Sequence, residues 1–129
     1  MISVDTNVII RLLTRDDEQQ YKKAYGVFQK EDVFASDTVL LESEWVLRYA
    51  YKFSREQIAD AFSRLLGLPN VYVANSVAIH AAIQWHAKGL DFADALHLVM
   101  SQHCHRMVSF DVDFIKRAKD LSSCPVSLP

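Results

Sequence analysis

The chain has few of the residues that build several common classes of functional site. Three glycines in 129 residues leave little scope for a glycine-rich phosphate-binding loop. Two cysteines, Cys104 and Cys124, lack the spacing and density of a disulfide-stapled scaffold, which favours a reducing, cytoplasmic setting. No apolar stretch approaches the length of a membrane span, and Asp5 and Arg11 interrupt any signal-peptide hydrophobic region. We therefore expect an unprocessed, cytoplasmic protein with no membrane partner.

The chain also lacks a large net charge. Fourteen basic and sixteen acidic residues give a formal charge of −2, which argues against the broad basic surface typical of nucleic-acid binders. If cations neutralised four of the sixteen acids, the fourteen basic residues would be in slight excess, so the objection is weakened. Half of the residues are apolar, which is enough for one domain with one core.

The order of apolar patterns predicts an α/β fold. Strand-like runs are separated by one or two helical segments, and no two-residue hairpin signal occurs, so parallel pairing is expected. The predicted strands are residues 2–4, 33–35, 71–73, 106–110 and 126–128, and the predicted helices lie around residues 8–13, 16–31, 37–51, 54–66, 75–87, 91–103 and 113–120. We predict a single domain, residues 1–129, built as a three-layer α/β/α sandwich around a central, mainly parallel sheet of four to five strands.

Two acidic residues directly follow predicted strands. Asp5 comes after the first strand and Asp111 after the fourth. Taken singly, each is best explained as the N-cap of the next helix, a position that Asp prefers. Their shared placement favours function, because ligands of parallel sheets gather beyond the carboxyl ends of the strands.

The helix predicted over residues 37–51 has two glutamates in an otherwise apolar stretch. Glu44 has Arg48 four residues on, which is the spacing of a surface ion pair, whereas Glu42 lies on the apolar stripe of the helix. We therefore interpret Glu42 as the functional acid. A solvated glutamate on an imperfect stripe is the alternative.

A fourth candidate lies in the segment from Leu90 to Ala95. Asp91 is placed to cap a helix, and Asp94 follows three residues later, much as in a capping box. The first-turn position of Asp94 directs its carboxylate towards the strand ends, which favours Asp94 over Asp91 as the functional acid. Local helix chemistry is an equally good explanation of both residues.

Together these features resemble the PIN-domain ribonucleases. The matching motifs are Asp5-Thr6-Asn7 after the first strand, an inward Glu on the third helix, Asp94-Ala95 opening a late helix, and Ser109-Phe110-Asp111 after the fourth strand. Their order and spacing cover nearly the whole chain, and the length, the opening and the closing strand look most like the VapC toxins of toxin–antitoxin pairs. The resemblance implies a PIN-like fold and an endoribonuclease that cleaves RNA with an acidic quartet of Asp5, Glu42, Asp94 and Asp111.

The resemblance also bears on residues around the quartet. Asn7 matches a polar residue that often accompanies the first Asp, and Ser109 stands where the family commonly has Thr, which keeps the hydroxyl. Asp113 is a second acid that could share part of the role of Asp111. We expect Asn7, Ser109 and Asp113 to form hydrogen bonds around the catalytic acids.

Four carboxylates in one pocket would repel each other unless cations lay between them. Oxygen ligands of this kind select Mg²⁺ or Mn²⁺ over zinc. We expect Asp5, Asp94 and Asp111 to be metal ligands, directly or through water, and Glu42 to be a ligand or to orient the attacking water. Arg11 and Arg15 are candidate phosphate contacts, with solvated surface arginines as the alternative.

The sequence leaves two other functions open. One is an Asp-based phosphatase or phospho-acceptor domain using Asp5, although the residue two positions on is Asn7 rather than a second acid. The other is a PIN-like module that binds RNA or protein without cutting it. The resemblance further implies a homodimer and a small antitoxin partner whose C-terminal segment docks in a groove between helices.

Overall fold

A computed structural model describes residues 1–129. Each of its five strands is two residues long: β1 Ile2–Ser3, β2 Val33–Phe34, β3 Val71–Tyr72, β4 Met107–Val108 and β5 Val126–Ser127. Its seven helices are α1 Thr6–Thr14, α2 Glu18–Lys30, α3 Asp37–Tyr49, α4 Arg55–Leu66, α5 Ser76–Ala87, α6 Phe92–Val99 and α7 Val112–Ala118. None of these helices has the length and apolarity of a membrane span. The chain divides into two compact units, residues 1–76 and residues 77–129.

The first unit is built on a parallel three-stranded sheet with β2 in the middle. Ile2 of β1 is in register with Val33, which in turn is in register with Val71 of β3. Parallel neighbours need helical crossovers, and here α1 and α2 connect β1 to β2, while α3 and α4 connect β2 to β3. The carboxyl ends of these strands therefore lead directly into α1 and α3, the helices with the candidate acids of this unit.

Side-chain caps fix where the helices of the first unit begin. Asp5, Asp17, Ser36 and Ser54 each accept a hydrogen bond from a backbone N–H in the first turn of α1 to α4, respectively. At Ser54 the bond is reciprocal, because the Gln57 side chain accepts from the Ser54 N–H in a capping box. Ser36, rather than the adjacent Asp37, therefore caps α3.

Apolar side chains from α1, α3 and α4 form the core of the first unit. Deeply buried side chains on these helices are Ile9, Ile10, Leu40, Leu47, Ile58, Phe62 and Leu65. They recur at helical spacing, as an amphipathic helix requires. Burying one such side chain contributes about 1.5–3 kcal/mol, so this face holds α1 and α3 in place.

The second unit contains a parallel pair of strands joined through α7. Met107 of β4 is in register with Val126 of β5. Asp91 and Asp111 are the N-caps of α6 and α7, which again places acids at helix starts. Its core includes Ile79, Ala82, Leu90, Phe92, Ala95, Leu98 and Phe114.

The α/β class and the parallel direction of the strands are confirmed. The hydrogen-bonded strands form a three-stranded and a two-stranded sheet, rather than a single sheet of four to five strands, and each strand is shorter than predicted. The helix predicted over residues 91–103 ends at Val99. Beyond it, the side chains of Ser101 and Gln102 donate to the carbonyls of His97 and Leu98, which satisfies end groups that a longer helix would have used.

Candidate active site

In the first unit, the start of α1 is tied to α3 through Thr6. The carboxylate Oδ1 of Asp5 accepts from the Val8 N–H at 3.2 Å, which fixes the first turn of α1. The next residue, Thr6, is buried, and its hydroxyl donates a hydrogen bond to Oε1 of Glu42. Thr6 therefore joins the start of α1, which Asp5 caps, to Glu42 of α3.

The two glutamates of α3 differ in exposure and in their ion pairing. Glu42 is exposed, whereas the side chain of Glu44 is only 1% exposed. Arg48 donates to both oxygens of Glu44, from Nε at 2.7 Å and from the second terminal nitrogen at 3.2 Å. The predicted ion pair is present, but its predicted position on the surface is wrong, because α3 turns Glu44 into the core. Glu42 is left as the solvent-facing acid.

In the second unit, Asp94 lies among other acids. It is in the first turn of α6, is half-buried, and its carboxylate accepts no hydrogen bond. Burial raises its pKa, and the charges of Asp91, Asp111 and Asp113 raise it further, while His97 acts in the opposite direction. Asp91 instead caps α6 by accepting the Asp94 N–H at 3.2 Å, so the expected division between a capping Asp91 and an available Asp94 is confirmed in geometry.

The loop after β4 positions Asp111. Its Oδ1 accepts from the Phe114 N–H at 3.1 Å, and its own N–H donates to the Ser109 hydroxyl at 3.0 Å. Ser109 thus supports the backbone at Asp111, in keeping with the supporting role expected for it. Asp113 forms an exposed ion pair with Arg117 at 2.9 Å, one helical turn away, and still contributes repulsion at Asp94.

The donor chemistry of these acids suits a hard divalent cation. Capping uses only Oδ1 of Asp5 and of Asp111, which leaves the second oxygen of each carboxylate without a protein donor. Asp94 has no donor at all. Oxygen-only ligands of this type fit Mg²⁺ or Mn²⁺. No three His, Cys, Asp or Glu side chains are grouped as a ready-made metal site.

The remaining predicted site residues have other surroundings. Arg11 donates to Gln20 at 2.6 Å, to Asp16 at 3.2 Å and to the Tyr51 hydroxyl at 3.1 Å. Arg15, in the left-handed conformation that ends α1, pairs with Glu18 at 2.7 Å. Both arginines lie towards the opposite end of α1 from Asp5, so a phosphate contact there requires RNA that extends along the helix.

Asn7 is exposed and makes no hydrogen bond to Asp5 or Glu42. It lines a groove of about 220 Å³ between α1 and α2, together with Val8, Arg11, Gln20, Lys23, Ala24 and Val27. The hydrogen bond that was expected from Asn7 to the catalytic acids is therefore not present in this structure.

Sequence reasoning missed Thr6, the residue that connects the acids of the first unit. The signal was present, since Thr6 is a hydroxyl residue between Asp5 and Asn7 at the first position of a helix. A buried hydroxyl there needs a partner other than the backbone of its own helix. The identity of that partner, Glu42, is thirty-six positions away and is visible only in the fold.

A family comparison matches the PIN domain over residues 2–120, which is nearly the whole chain. PIN domains are a nuclease-type fold and are generally metal-dependent nucleases. No curated protein matches the chain, and no solved structure matches it. On the extent of the family match, together with the parallel α/β architecture and the acids at the ends of β1 and β4, the chain belongs to the PIN-domain family.

Proposed function

We propose that the protein is a Mg²⁺- or Mn²⁺-dependent endoribonuclease that hydrolyses RNA phosphodiester bonds using Asp5, Glu42, Asp94 and Asp111. This proposal rests on the burial and the charged surroundings of Asp94. A half-buried carboxylate with no hydrogen-bond donor and with like charges nearby is costly, and a bound cation offsets that cost.

We assign a separate role to each of these residues. Asp5, Asp94 and Asp111 would hold the cation, each through an oxygen that no protein donor uses. When bound, a divalent cation supplies Lewis-acid activation of water and neutralises charge on the leaving oxygen. Glu42 is exposed to solvent and hydrogen-bonded to Thr6, and we propose that it accepts a hydrogen bond from the attacking water. Ser109 keeps Asp111 in position through the loop backbone.

We further propose that the protein acts in the cytoplasm as the toxin of a toxin–antitoxin pair and forms a homodimer. The groove between α1 and α2 is the feature that favours a peptide partner. Its lining includes the apolar residues Val8, Ala24 and Val27 and the basic residues Arg11 and Lys23. An antitoxin segment with apolar and acidic side chains would complement both features.

A cleavage assay tests the proposed reaction. Purified protein is incubated with RNA in Mg²⁺, in Mn²⁺ and in chelator, beside separate assays with a phosphomonoester and with an acetyl-phosphate donor. We expect RNA cleavage only with metal, and loss of cleavage in Asp5→Asn. Phosphomonoester turnover or phosphorylation of Asp5 would favour the phosphatase or phospho-acceptor alternative, and RNA binding without cleavage would favour a non-catalytic module.

Expression in a bacterium tests the biological role. Wild-type protein should arrest growth, and Asp5→Asn should relieve the arrest at equal protein levels. Equal toxicity of the two forms would contradict a nuclease toxin.

A further inference from the structure

The exposed face of α3 is a single stripe that contains Glu42. The exposed residues of the helix are Thr38, Glu42, Trp45 and Tyr49, at successive steps of three or four. The opposite face, with Leu40 and Leu47, is fully buried. Two large aromatic rings therefore follow the candidate catalytic glutamate along the same side of the helix.

The two rings form a preorganised pair. Trp45 is 55% exposed and Tyr49 is 51% exposed, and their centroids are 5.0 Å apart at an angle of 46°. The guanidinium carbon of Arg48 lies 4.7 Å from the Tyr49 ring centre, and Arg48 is itself held by the buried Glu44. The core of the protein thus orients Arg48, and Arg48 supports Tyr49 by a cation–π contact.

We propose that Trp45 and Tyr49 are a stacking platform for nucleobases of single-stranded RNA, next to the phosphodiester that Glu42 acts on. This proposal rests on the proposed ribonuclease function. At a rise of about 1.5 Å per residue, the Cα atoms of Trp45 and Tyr49 lie roughly 4.5 and 10.5 Å beyond that of Glu42 along the helix axis. With bases stacked about 3.4 Å apart, this corresponds to about one to three nucleotides from the cleaved bond.

The position of Glu42 favours RNA over a second copy of the chain as the occupant of this face. A protein partner that covered the stripe would also cover Glu42, which needs access to the substrate. Aromatic faces accept any base, so the platform provides affinity without a requirement for one sequence. It also selects single strands, because bases in a duplex are already stacked and paired.

Binding in chelator separates this proposal from the cleavage reaction. In a Trp85→Phe background, Trp45 is the only tryptophan, and its fluorescence reports directly on stacking. A short single-stranded RNA should quench this fluorescence. Trp45→Leu and Tyr49→Leu, measured by anisotropy of labelled RNA, should each weaken binding about tenfold. The matched control is Tyr72→Leu, which removes a 46%-exposed ring on β3 and should leave affinity unchanged.

Several outcomes would overturn the platform. Equal affinity for abasic and ordinary RNA would do so, as would equal losses in Trp45→Leu and Tyr72→Leu. If Trp45→Leu instead converted a dimer to a monomer with unchanged RNA affinity, the face would be an interface between two copies. Quenching by RNA in a protein that cleaves none would retain the platform and reject the nuclease, so the two failures are distinguishable.

Discussion

Two candidate acids of residues 1–76, Asp5 and Glu42, are held differently from Asp94 of residues 77–129. In the first unit, Asp5 and Glu42 are exposed and hydrogen-bonded, to a backbone N–H and to the Thr6 hydroxyl. In the second, Asp94 is half-buried without a donor and is repelled by Asp91 and Asp111. Of these acids, Asp94 is therefore the one that a bound cation would stabilise most.

The largest expected effect is that of removing the charge of Asp94. Asp94→Asn should lower metal-dependent RNA cleavage by about 10³-fold or more, because a ligand charge is lost at nearly constant volume. Steady-state cleavage rates would measure it, and far-UV circular dichroism should remain native. Asp91→Asn is the matched control, since Asn also caps helices. An inactive Asp91→Asn beside a fully active Asp94→Asn would reverse the assignment.

The two glutamates of α3 should separate activity from stability. Glu42→Gln should lower kcat about 10²-fold and change the free energy of unfolding by less than about 0.5 kcal/mol, because the residue is exposed. Glu44→Gln should do the opposite and destabilise the protein by about 1–3 kcal/mol, since it disrupts a pair whose carboxylate is buried and whose Arg48 side chain is 38% exposed. Urea unfolding and cleavage kinetics on both variants check this. Equal activity losses would contradict the distinction.

Thr6 is a positioning residue, and its effect should be intermediate. Thr6→Val keeps the shape but removes the donor to Glu42, so we expect kcat to fall about tenfold with KM unchanged. Thr6→Ser should restore most of the rate, because it restores the hydroxyl. A loss in both variants would indicate a packing role instead.

Relieving repulsion in the second unit should stabilise the metal-free protein. Asp111→Asn removes one of the charges that raise the pKa of Asp94, and we expect the Tm in chelator to increase by about 2 °C, while cleavage is lost. Addition of about 10 mM Mg²⁺ should stabilise the wild type by about 1.4 kcal/mol if the Kd is near 1 mM, and the variant less. If metal and chelator left the melting curves unchanged, and the Tm of Asp111→Asn were below that of the wild type, Asp111 would be a purely structural cap.

The smallest effect is expected at Asp16, a hydrogen-bonded acid in the connection between α1 and α2. The Tyr51 hydroxyl lowers the pKa of Asp16, and Thr14 and Arg11 act in the same direction. Because the folded pKa is depressed, its contribution to stability is present above the ordinary value near 3.9 and is lost as pH falls through the lower, folded value. The Tm difference between wild type and Asp16→Asn should be constant from about pH 7 to pH 5 and should close below about pH 4. A difference that grows with acid would contradict it.

Local sequence patterns were enough to predict much of the fold and the candidate acids. Helix starts are set by caps within three residues, so Asp5, Ser54 and Asp91 could be located without the structure. Element order and the absence of hairpin turns indicated parallel strands. The predicted ends of the strands and of α6 were less accurate, because these ends depend on which backbone carbonyls accept hydrogen bonds from outside the local segment.

What the sequence by itself determined is the α/β pattern and the set of acids at strand and helix ends. The tertiary structure decided which of those acids are buried and which are bonded. Helical spacing alone made Glu44 a surface residue, but the packing of α3 on its neighbours buries its side chain, which pairs with the partly exposed Arg48. Likewise, the bond from Thr6 to Glu42 joins residues thirty-six positions apart. Burial and long-range hydrogen bonds depend on how separate elements pack, and no local pattern of residues contains that information.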